Sequence, residues 1–113
     1  MPDSVLAQEI HYKTAEETVT FVVDFTRRLK RNAGELLTGS PTASLSGITV
    51  DSAVVNSAEE EDDDGYPIAI GKAVVITVSG GTLDQNYLLP VRCGTNLNSN
   101  IREIICPIFV RNS

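Results

Sequence analysis

Asn86-Tyr87-Leu88-Leu89-Pro90-Val91-Arg92-Cys93-Gly94-Thr95 and, beyond Asn96–Asn100, Ile101-Arg102-Glu103-Ile104-Ile105-Cys106-Pro107-Ile108-Phe109-Val110-Arg111 decide the fold. Both stretches are dense in β-branched and apolar residues, and the Asn- and Ser-rich segment between them is a turn signal. Placed antiparallel with Cys93 opposite Cys106, Leu89 faces Val110 and Val91 faces Ile108, all on one apolar face. The other face carries Arg92, Arg111, Pro90 and Pro107. A one-residue slip would mix the two sets, which disfavours it. Prolines in both stretches ask for places where no ladder donor is needed, so the final strand is expected at a sheet edge.

Working towards the amino terminus, Ala73-Val74-Val75-Ile76-Thr77-Val78 predicts a short strand closed by Ser79-Gly80-Gly81-Thr82. The run Glu59 to Asp64 sets six carboxylates side by side. Such a run stays solvated, and a surface loop between the two halves of the domain is expected there. Residues 43–55 alternate through Leu45, Ile48, Val50 and Val54, with Gly47 a candidate bulge. Leu36-Leu37 opens an apolar segment broken by Gly39-Ser40-Pro41, and Asn32-Ala33-Gly34-Glu35 reads as a turn. In residues 17–26, Val19, Phe21, Val23 and Phe25 recur at period two. Thr14-Ala15-Glu16-Glu17 would also fit a helix capping box, but the β-branched and aromatic content predicts a strand. Residues 1–13 show no period and read as an extended arm ahead of one domain over residues 14–113. Short strands at intervals of 8–12 residues, with no convincing helix, predict an all-β antiparallel sandwich.

At 113 residues the chain has room for one domain with a core. No apolar run approaches the ~20 residues that cross a bilayer, so no membrane partner is expected. The first residues lack a basic and then an apolar region, so no signal peptide is expected either. The net charge of −6 would repel a phosphate backbone and argues against nucleic acid. The Arg27, Arg28, Lys30 and Arg31 cluster lacks interleaved aromatics and reads as a solvated strand end, whose best functional use would be docking against an acidic subunit.

Catalytic and metal chemistry find little material. One histidine, His11, lies in the arm, away from both Cys93 and Cys106, so neither a zinc set nor a thiol–base pair is expected. Counting Glu60, Asp62, Asp64 and Gly65 as a calcium loop puts Gly71 where a bidentate Glu is required. No catalytic residue, metal or cofactor is therefore expected. The cysteines read as buried reduced thiols, although a cross-strand bridge is open if they are opposed.

Asp24-Phe25-Thr26-Arg27-Arg28-Leu29, Gly34-Glu35-Leu36-Leu37, Val78-Ser79-Gly80-Gly81-Thr82, Tyr87 and Cys93-Gly94-Thr95 together resemble small immunoglobulin-like structural proteins of tailed phages. The resemblance spans about residues 17–111; the acidic run and the prolines of the last strands depart from it. It implies an immunoglobulin-like sandwich that serves as a virion structural protein of head, neck or tail, assembled in the host cytoplasm. Its implied partners are capsid, connector or tail subunits, in a homo-oligomer or symmetric array. Tyr87 would then be the corner tyrosine bonding back to the turn before it. Docking candidates are Val5, Leu6 and Ile10 of the arm, Arg27, Arg28 and Arg31 of the basic cluster, and the edge strand. The alternative from another class is a secreted recognition or carbohydrate-binding module with Cys93 and Cys106 bridged.

Overall fold

The computed structural model describes residues 10–62 and 64–112, together with the backbone of residues 4–6. The strands are β1 (Ser4–Leu6), β2 (His11–Lys13), β3 (Val19–Asp24), β4 (Leu37–Ala43), β5 (Ile48–Val55), β6 (Glu60–Glu61), β7 (Pro67–Ile68), β8 (Ala73–Gly80), β9 (Asn86–Thr95) and β10 (Ile101–Val110). Two 3₁₀ turns, Thr26–Arg28 and Arg31–Ala33, follow β3.

One sheet orders β10, β9 and β4, with β1 and β2 added on the free side of β10; the second orders β3, β8 and β5. A single buried cluster joins them: Val23, Val74, Ile76 and Val78 from one sheet meet Leu89, Val91, Ile104, Cys106, Ile108 and Val110 from the other. The molecule is an all-β sandwich, and its main ladders are antiparallel. The period-two rows explain why. Every second residue of β9 from Tyr87 to Thr95 is buried, with exposed or half-buried residues between them, so one face of that strand faces the core and the other is more open to solvent.

Several expectations are corrected. The β9–β10 register is offset by four residues: Cys93 lies opposite Arg102 and Cys106 opposite Leu89. An even offset keeps every side chain on its face, so the apolar row survives while its partners change. The turn sets the offset. Asn98 and Ser99 adopt left-handed backbone, at φ 53° and 59°, and Thr95 N–H closes onto the Asn100 carbonyl at 2.9 Å. The two thiols are buried, not bonded to each other, and about 13 Å apart along the ladder.

Nor is β10 an edge. Val5 and Leu6 pair in parallel with Ile104 and Ile105, and His11, Tyr12 and Lys13 with Ile108, Phe109 and Val110. Pro107 falls in the gap between these two pieces, and Pro90 just past the last β4 partner, Ala43 opposite Val91. The prolines mark gaps in the ladder, where no donor is required.

Gly39-Ser40-Pro41 does not break its segment but lies inside β4, at a register shift between Thr38 and Thr42. Gly47 turns the β4–β5 connection at φ 95°, while the β5 bulge falls between Val50 and Ser52. The acidic run is a small hairpin, Glu60 and Glu61 opposite Ile68 and Pro67; its Asp63 lies outside the described residues. The capping-box residues close a turn with no helix behind it, Thr14 N–H donating to Glu17 Oε1 at 2.7 Å.

Candidate functional site

The basic turn is built on the end of β3. Asp24 Oδ1 accepts from Thr26 N–H at 2.8 Å and Phe25 carbonyl from Arg28 N–H at 2.8 Å, which bends the chain out of the sheet. Gly34 then takes φ 65° to end the second 3₁₀ turn. Glu35, buried beneath, fastens the turn from inside. Its carboxylate accepts from Lys30 N–H (2.8 Å), Thr95 Oγ1 (2.7 Å), Asn100 Nδ2 (3.4 Å), and Arg102 Nε and Nη2 (3.1 and 3.0 Å). Burial by itself would raise this carboxyl. The bonds from Arg102, Lys30, Thr95 and Asn100 outweigh it and hold the pKa down to about 2.

Because Glu35 is neutralised internally by Arg102, the charge of Arg27, Lys30 and Arg31 is presented outward, and all three are exposed; Arg28 is half-buried. A shallow concavity lined by Lys30, Arg31, Asn32 and Ala33 accompanies them. The result is an exposed basic surface beside open, shallow relief.

The arm candidates sit elsewhere. Val5 and Leu6 contribute backbone to the parallel pairing on β10, and Ile10 is 44% exposed. Beyond Ile10 the arm is held down firmly. His11 stacks on Phe21 with ring centroids 4.2 Å apart, and Tyr12 meets Phe109 edge-on at 5.7 Å. The buried Lys13 ammonium donates to the Thr14 and Gly80 carbonyls, each at 2.6 Å, while Arg111 N–H donates to the Lys13 carbonyl at 2.9 Å. So the structure places arm and basic turn on separate elements, and the arm is seated on its own β10.

Tyr87 takes the corner role. Its hydroxyl accepts from Thr82 N–H at 2.8 Å; bonds from Thr82, with the charge of Lys13 nearby, lower the phenol's pKa. The turn has to be glycine here. A Cβ on Gly81, at φ 97°, would stand 2.8 Å from Val110 Cγ2 and 3.4 Å from the Tyr87 ring.

Burial pushes the Cys93 thiol up, away from a reactive thiolate, and its Sγ donates to the Thr38 carbonyl at 3.4 Å. Among the described residues no three His, Cys, Asp or Glu side chains gather to hold a metal ion.

Three polar residues that organise these surfaces went unassigned in the sequence: Glu35, Lys13 and Asn56. Asn56 is buried and bonded at both amide ends, its Oδ1 accepting from Gly71 and Ala73 N–H and its Nδ2 donating to the Ala58 and Ala69 carbonyls, all at 2.9–3.0 Å. Only Glu35 had a signal, its place just after the Gly34 turn. Compared with protein families, with characterised proteins and with solved structures, the chain matches none.

Proposed function

We propose that the chain is a structural docking module of a tailed-phage virion, binding capsid, neck or tail subunits through surface contacts rather than catalysing a reaction. The observation that carries this reading is that the positions behind the resemblance are the frame of the fold. Gly34-Glu35 forms the internally neutralised turn, and Gly81-Thr82 with Tyr87 forms the hydroxyl-to-backbone corner. What that frame presents is an outward basic turn and strand edges, the materials of protein–protein attachment. The step from fold to virion is one of likeness. The secreted alternative required a Cys93–Cys106 bridge, whereas the register separates the two residues by four ladder positions.

Of the attachment devices the sequence suggested, the final strand is not an open edge, since the arm pairs with it. Docking then falls to the basic turn, to the exposed Ile10 of the seated arm and to edges other than β10. Immuno-electron microscopy with antibody to the purified chain, on purified phage particles from a lysate in which the chain is produced, tests the reading. Label at regular positions on head, neck or tail is expected; purified particles free of label would overturn it.

A further inference from the structure

Among the described residues the two sheets leave four edges, and three of them are blunted. The β1–β2 edge is split into two three-residue pieces. The β4 edge carries Gly39, Pro41 and a register shift, and the β5 edge shifts register at Asp51. The β3 edge has none of these devices. Its six residues, Val19–Asp24, pair with β8 in unbroken register, and they include no proline, glycine, lysine or arginine. A regular edge whose single charge, Asp24, stands at its very end is a template for a further strand.

The sequence around β3 says which strand fits. Exposed Glu16 and Glu17 precede it and exposed Arg27 follows it. An antiparallel copy of the same segment brings the acidic flank of each chain to the basic flank of the other, twice over. We propose that β3 pairs antiparallel with β3 of a second copy of this chain, about a two-fold axis at Phe21, merging two three-stranded sheets into one of six. The inference rests on the docking reading above and names its partner as the chain itself.

In this register the half-buried Phe21 meets the partner's Phe21, and Val19 meets the partner's Val23, core-facing side to core-facing side. On the outer face Thr20 meets the partner's Val22 and Asp24 meets the partner's Thr18, while Glu16, in the turn before the strand, comes level with the partner's Thr26, next to the turn that carries Arg27. No like charges are opposed. The contact is isologous and closed, so it stops at a dimer and does not grow into a fibre.

Light scattering and sedimentation of the full chain at about 100 μM, where a contact with Kd ~10 μM is mostly formed, are expected to show a dimer. The variant T20K/V22K changes two outward positions and sets lysine against lysine across the axis. It is expected to be monomeric with an unchanged circular dichroism spectrum. E16R and R27E are each expected to weaken the dimer about five-fold, and E16R/R27E to restore it. This second set keeps the test decisive if T20K/V22K folds poorly. A monomer at that concentration, a dimer indifferent to T20K/V22K, or a failure of E16R/R27E to restore pairing overturns the inference. None of these results touches docking on other virion subunits, which the particle labelling tests independently.

Discussion

Protonating Glu35 removes the anion that holds Arg102, the Lys30 backbone, Thr95 and Asn100 in one place. Its folded pKa, about 2, lies below the ordinary 4.5. The stabilisation is therefore complete above about pH 4.5 and fades as pH falls through the folded value. A shift of that size corresponds to about 3 kcal/mol. Glu35→Gln is expected to cost about that much at pH 7 in urea unfolding, with the gap to the wild type closing towards pH 2. At the other end of the sandwich Tyr87→Phe leaves Thr82 N–H without its acceptor and is expected to cost about 1 kcal/mol. Gly81→Ala drives a methyl into Val110 from a left-handed backbone, and about 3 kcal/mol is expected on the same scale. The Tyr87 role was legible because the turn and the tyrosine lie five residues apart. The Glu35 role was not, since its side-chain partners arrive from 60 to 67 positions away.

At the scale of elements, the β6–β7 hairpin hangs on one side chain. Asn56 joins the residue after β5 to the backbone on both sides of the hairpin, through Ala58, Ala69, Gly71 and Ala73. Asn56→Ala leaves buried N–H and carbonyl groups unmatched, and about 3 kcal/mol is expected from the loss. Hydrogen exchange should locate it: the Asp62 amide, which donates to the Tyr66 carbonyl, is expected to lose protection while Ile76 of the central strand keeps its own. Period two told which face of β9 and β10 is buried but not where each strand starts against the other. Every even offset satisfies the same pattern, and only the left-handed residues at Asn98 and Ser99 separate them. The acidic run was readable as solvated, yet its pairing with Pro67 and Ile68 carries no hydrophobic signature at all.

For the whole molecule, the two-sheet architecture was legible because the alternating apolar rows leave no other way to bury both sets. Which edges stay open was not. That depends on the arm, whose pairing with β10 runs through backbone groups that every sequence has. The same arm fixes how the molecule meets force. First and last strands are parallel neighbours, so a pull on the two ends of the chain runs along them in opposite senses. The arm's ladder bonds are then loaded in shear together with the Lys13 and Arg111 clamps. A pull from Gly65, in the turn between β6 and β7, to the carboxyl end instead loads the two-residue β6–β7 ladder first, which has far fewer bonds to break. Single-molecule pulling is expected to give a higher rupture force for the end-to-end direction. Tension carried from one terminus to the other would thus tighten against a clasp that has to break all at once.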